Sequence, residues 1–236
     1  MKLSIRSFVA LASSLAIGCL GLAWGIFALP QSEFSDDFRY IEDRLLSFET
    51  FRSATFAQTL ESQGVQDLSP CDTHSQRAML LMEMSLAETA LRSGAVQEFD
   101  QRTKSIQTRA TRVLSCTPRE SFVWLLVFQL EVLNGHLDER SFGLLAMSYE
   151  TSPNEAWISI RRILVAMPLV LVAPESTRHR ILNEFQLLTK NGFVDAAARA
   201  YLGAPDRARS LLQSRIEQLN KDQQAAFSNA LQKFRT

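Results

Sequence analysis

Residues 122–133, within SFVWLLVFQLEVLNG, hold Gln129 and Glu131 as their only polar side chains. A helix this apolar has to be covered on every side. Twelve residues make a rod of about 18 Å, well short of the ~30 Å hydrocarbon layer of a bilayer, so lipid cannot be the cover. The chain must wrap its own helices around this segment, which therefore predicts a buried core helix.

The flanking sequence supplies those helices. THSQRAMLLMEMSLAETALRSG places Met79, Met82, Leu86 and Ala90 on one stripe and stops at Gly94. VQEFDQRTKSIQTRATRVLSC carries Phe99, Ile106 and Val113 on a narrow stripe, which predicts a helix with a large wet face. Further helices are expected over about 138–150 and from 154 to about 172, the latter bent at Pro168. Others end at Gly192 and Gly203, and DRARSLLQSRIEQLN and KDQQAAFSNALQKF finish the chain. Of nine glycines, Gly64, Gly94, Gly135, Gly192 and Gly203 fall where helical patterns stop, the habit of an all-helical protein. Thr117-Pro118-Arg119-Glu120 and Ser152-Pro153-Asn154-Glu155 both read as capping boxes with proline at the first helical position.

Ahead of this lies a leader. Lys2 and Arg6 precede an uncharged stretch over residues 8–29, 22 residues in all. As a helix it would measure about 33 Å, enough to cross a membrane. Basic residues before it and Glu33, Asp36 and Asp37 after it put the N-terminus in the cytoplasm and the remainder outside. Cleavage after Gly18 and a lipobox-like use of Cys19 are the competing readings, and an uncleaved anchor accounts best for the length. Gly21 and Gly25 form a G-x-x-x-G pair that can bring two such helices together, a route to a homodimer. The organisation expected is a membrane anchor over 1–32, short helices and linker over 33–70, and a helical domain over 71–236. In the middle section Phe38, Ile41, Leu45 and Phe48 stand at helical spacing, and ATFAQTLESQG reads as a second short helix.

Cys71 and Cys116 remain once Cys19 is assigned to the leader. One precedes the first long helix and the other closes the second, so an antiparallel hairpin brings them together. Outside the cytoplasm such a pair is expected to oxidise.

Helix starts expected at 74, 118, 154 and 193 recur at intervals of 44, 36 and 39 residues, the size of stacked antiparallel helix pairs. NGFVDAAARAYLGAP resembles a tetratricopeptide-like repeat, with Gly192, Ala197, Tyr201 and Ala204 near favoured positions, although Gly203 and Pro205 come early and Arg161 replaces a small residue. The resemblance implies an all-α superhelical solenoid that serves as an adaptor. SYETSPNEAWISIRR is similar to segments of bacterial envelope proteins, some linked to surface-polysaccharide assembly, which implies a periplasm-facing protein of the inner membrane.

Lysine plus arginine and aspartate plus glutamate balance at 25 each and are scattered, which argues against a nucleic-acid partner. No cofactor motif is present, and Cys71-x-x-His74 is only half of a metal site, with His74 expected as a polar residue of a first helical turn. Tyr149, Trp157, Arg161 and Arg162 gather aromatic and guanidinium groups into a candidate interaction surface, against the alternative that Trp157 packs inward and the arginines pair with Glu155 or Glu150. The preferred function is a membrane-anchored adaptor for a protein partner. The rival is a glycan-acting envelope enzyme using a helix-end carboxylate: Glu120, Glu155 or Asp195.

Overall fold

The computed structural model describes residues 13–25, 38, 53–61 and 68–234. Eleven helices and no strand occur among the described residues. They are α1 (13–25), α2 (Ser53–Glu61), α3 (Thr73–Ser93), α4 (Val96–Cys116), α5 (Ser121–Leu133), α6 (Glu139–Thr151), α7 (Ala156–Ala166), α8 (Glu175–Lys190), α9 (Val194–Gly203), α10 (Arg209–Glu217) and α11 (Lys221–Lys233). The helix expected to carry Ile41, Leu45 and Phe48 lies outside the described residues, as do Gly64 and both ends of the leader.

The chain divides into two compact units, Met1–Ser85 and Leu86–Thr236. In the first, α1 leaves Leu15, Ile17, Leu20, Leu22 and Trp24 in the open, the least exposed at 62%. Among the described residues no helix is long and apolar enough to cross a membrane. Gly21 and Gly25 both face open space. Elsewhere in this unit Phe38 and Phe56 are buried, as are Ala78, Met79, Leu80, Met82 and Met84 on the first half of α3. Asp72 caps that helix, accepting from the amide of Ser75 (3.4 Å) and from its hydroxyl (2.6 Å).

The second unit is built around α5. Phe122, Val123, Leu125, Leu126, Val127, Phe128 and Leu130 are all buried, so the core-helix expectation is met. Helices α4, α6 and α7 pack against it. From there α5 packs on α7, α6 on α8, α7 on α9, α8 on α10 and α9 on α11. Contact between each helix and the next but one is how stacked helix pairs pack, as in a helical-repeat fold. The odd-numbered helices from α3 to α9 begin at Thr73, Ser121, Ala156 and Val194, within three residues of the expected starts. Aromatic contacts tie the later layers together: the Phe227 ring meets Phe185 at 5.9 Å and Tyr201 at 5.7 Å.

Helix ends show where local chemistry agreed with the sequence reading and where it did not. Gly94 (φ 73°) and Gly192 (φ 88°) adopt the left-handed conformation, which lets Ala95 N–H reach Ala90 O and Phe193 N–H reach Leu188 O. The two expected capping boxes are not formed. Thr117 and Ser152 close α4 and α6, Glu120 and Glu155 take the N-cap positions of α5 and α7, and neither makes a side-chain cap. Asp138 with Ser141 and Asn220 with Gln223 are the boxes that do form. Nor is Pro168 a bend within one helix. α7 stops at Ala166, a single 3₁₀ turn (Met167–Leu169) follows, and Arg178 donates to the loop carbonyls of Val170, Leu171 and Ala173.

One polar pair inside this unit gives a pH prediction. Gln129, the polar break in α5, donates its amide to Glu88 on α3 at 2.7 Å. Burial raises the Glu88 carboxyl above its ordinary 4.5, against the pull of Arg92 and Gln129. A proton held more tightly in the folded chain stabilises the fold fully below 4.5, and that stability is lost as pH rises through the raised value. Glu88→Gln keeps the acceptor and removes the charge. It should be more stable than the parent at neutral pH, with the gap closing on acidification, and urea midpoints across that range would measure it. A variant less stable at neutral pH would contradict the assignment.

Candidate functional site

Three helices of the second unit enclose a cleft of about 560 Å³. α6 contributes Tyr149 and Glu150, the start of α7 gives Ala156 and Ser159, and α8 lays Arg180, Asn183, Glu184 and Leu187 along it, followed by its C-cap Asn191. Those α8 residues stand at i, i+3, i+4 and i+7, so one helical face forms a wall. Phe193, placed by the Gly192 turn, closes one end at 38% exposure.

The floor is an ion pair withdrawn from water. Glu184 on α8 accepts from Arg162 on α7 through Nε (2.9 Å) and Nη2 (2.5 Å), and its other oxygen accepts from the Tyr149 hydroxyl at 3.0 Å. Arg162 is fully buried; Nη1 donates to the Ser148 carbonyl (2.8 Å), and Nη2 to the Ser152 carbonyl and Ser159 hydroxyl, both at 3.3 Å. Its guanidinium lies 4.0 Å from the centre of the Tyr149 ring. Burial raises the Glu184 carboxyl, with Arg162 opposing the shift, and it drives the Tyr149 hydroxyl well above its usual range. At neutral pH Tyr149 is a hydrogen-bond donor and holds its proton.

These positions correct part of the expected interaction surface. Arg162 (0% exposed) and Tyr149 (8% exposed) are structural groups beneath the cleft and present no guanidinium or free ring to a partner. Trp157 and Arg161 are half-buried. The Trp157 indole donates to Glu155 at 2.9 Å and its ring stands 6.1 Å from Phe122, so it packs inward on α5. Burial lowers the Arg161 guanidinium to about 10. Glu150 pairs with Arg180 (3.3 Å), an arginine the sequence reading did not single out.

Cys71 and Cys116 are joined in a disulfide, as their places at the two helix ends implied. The bond takes Cys71 out of the half metal site, and His74 sits in the first turn of α3, where its Nδ1 accepts from Arg77 at 3.1 Å. Of the helix-end carboxylates, Asp195 is exposed and paired with Lys233 (2.7 Å), and Glu155 holds the Trp157 indole. Glu184 is a buried carboxylate that the sequence reading did not single out, although it stands among Ile181, Phe185 and Leu188 on a buried stripe. Compared with protein-family models, curated proteins and solved structures, the chain matches none.

Proposed function

We propose that this chain is a membrane-anchored adaptor of tetratricopeptide-like architecture, facing the periplasm, which holds a protein partner in the cleft between α6, α7 and α8. The observation that carries the reading is the cleft itself: an opening of about 560 Å³ between stacked helix pairs, on a floor fixed by a buried ion pair. Repeat packing leaves such concave surfaces because each helix contacts only its near neighbours. The anchor is supported by α1, whose Leu15, Ile17, Leu20, Leu22 and Trp24 are all exposed, a pattern that calls for an apolar cover from outside the chain. With Lys2 and Arg6 ahead of it, the helix orients the remainder outward, where the Cys71–Cys116 bond is chemically at home. A role in envelope or exopolysaccharide assembly fits that placement.

Crosslinking in intact cells, followed by detergent extraction and identification of attached proteins, tests the adaptor role. One partner recovered reproducibly with the wild-type chain is the expected result, and recovery of none would reject it. A carboxyl-terminal reporter that works only in the cytosol should stay dark; a signal from it would reverse the topology.

A further inference from the structure

The cleft walls carry charge that is already matched within the protein. Glu184 turns both oxygens inward, to Arg162 and to Tyr149. Arg180 meets Glu150 at 3.3 Å, and its Nη1 lies 3.4 Å from the carbonyl of Ala146. Asn183 is engaged too, with its oxygen accepting from Arg215 at 3.0 Å. Toward the opening the free groups are neutral: the exposed amides of Asn154 and Asn191, beside Leu187 at 52% exposure and Phe193 at 38%.

That combination selects a ligand chemistry. A side-chain amide both donates and accepts, as does each peptide unit, so two such amides on a cleft wall match an extended backbone. Exposed Leu187 and Phe193 offer an apolar seat for one side chain, the anchor-in-pocket arrangement of interface hot spots. A charged ligand would have to compete with the Arg180–Glu150 pair and would find no unmatched counter-charge. A sugar stacks on an open aromatic face, and Arg162 covers the Tyr149 ring at 4.0 Å while Arg180 stands 6.0 Å from its centre, so Phe193 alone of the two lining rings is open to one.

We infer that the cleft between α6, α7 and α8 binds an uncharged, extended peptide segment. The amides of Asn154 and Asn191 hold its backbone, and one apolar side chain sits against Leu187 and Phe193. This deepens the adaptor reading and rests on it.

The test pans a random heptapeptide display library on the full chain in detergent micelles and measures the winners by fluorescence polarisation. Enriched sequences should share an apolar residue in an uncharged setting. Leu187→Glu should weaken them by more than about tenfold, and Asn154→Ala by a smaller factor. Leu211→Glu, at a 40% exposed position outside the cleft, should leave binding intact, with each variant melting at the wild-type temperature. Charged winners, unaltered binding to Leu187→Glu, no enrichment, or binding of an N-acetylglucosamine trimer in place of peptides would each overturn the assignment. The two readings fail separately. If cellular crosslinks persist undiminished in Leu187→Glu, the cleft falls as the partner's seat, and the chain remains an adaptor that binds its partner on another surface. If peptides bind the cleft yet no partner crosslinks in cells, the adaptor falls.

Discussion

Replacing Arg162 with methionine should lower the unfolding free energy by about 3–5 kcal/mol, the cost of stranding one half of a buried ion pair. Methionine fills much of the arginine stem's volume, so the loss is electrostatic in origin rather than a cavity effect. Glu184, whose side chain is 7% exposed, would keep Tyr149 as a donor and lose its charge partner. The Ser148 and Ser152 carbonyls would lose a donor as well. Acidification should narrow the deficit, because burial already raises the Glu184 carboxyl and a protonated acid no longer needs the guanidinium.

A second substitution separates this account from simple misfolding. Adding Glu184→Gln to Arg162→Met removes the stranded charge while leaving an oxygen for the Tyr149 hydroxyl, so the double variant should recover much of the loss. Arg180→Met provides the contrast: its pair with Glu150 is 40% and 55% exposed, and pairs of that kind contribute about 0–1 kcal/mol. Urea unfolding followed by circular dichroism would rank the three. If Arg162→Met costs no more than Arg180→Met, the buried network does not fix the cleft floor.

Arg162 also marks where sequence reasoning stopped short. With Trp157 and Arg161 nearby it looks like a recognition group, and arginine is most often found at surfaces. Yet Ile158 and Ala166 stand four residues to either side on the buried face of α7, which places Arg162 inside the stripe. Glu184 sits the same way on α8, next to Phe185 and four before Leu188. Opposite charges, each embedded in an apolar stripe, are a legible sign of a buried pair, but only once the two helices are known to be neighbours. That knowledge is tertiary. The core character of α5, the glycine stops at Gly94 and Gly192 and the repeating helix starts were legible because they depend on local pattern alone.

The capping boxes failed for a related reason. Thr117 and Ser152 have the right chemistry for an N-cap, but the connections are so short that each residue belongs to the helix before it. The Thr117 hydroxyl donates back to Val113 O at 3.0 Å. Asp138 and Asn220 had no such earlier claim, and their boxes formed with Ser141 and Gln223, the latter a Gln at the third helical position.

Reducing the Cys71–Cys116 disulfide should cost about 4 kcal/mol, because the bond closes a loop of roughly 46 residues and removes that freedom from the unfolded chain. Cys116→Ser should reproduce the loss and make unfolding indifferent to reductant. Alkylation of the detergent-denatured protein without reductant should modify one thiol, Cys19, the free cysteine, and alkylation after reduction should modify all three. The measurement bears on compartment as much as on stability, since a bond between these sulfurs persists only on an oxidising side. Three modified thiols in protein taken directly from cells would place the chain where glutathione keeps cysteines reduced. The outward topology would then fall, and the helix pairs would have to hold together without the staple.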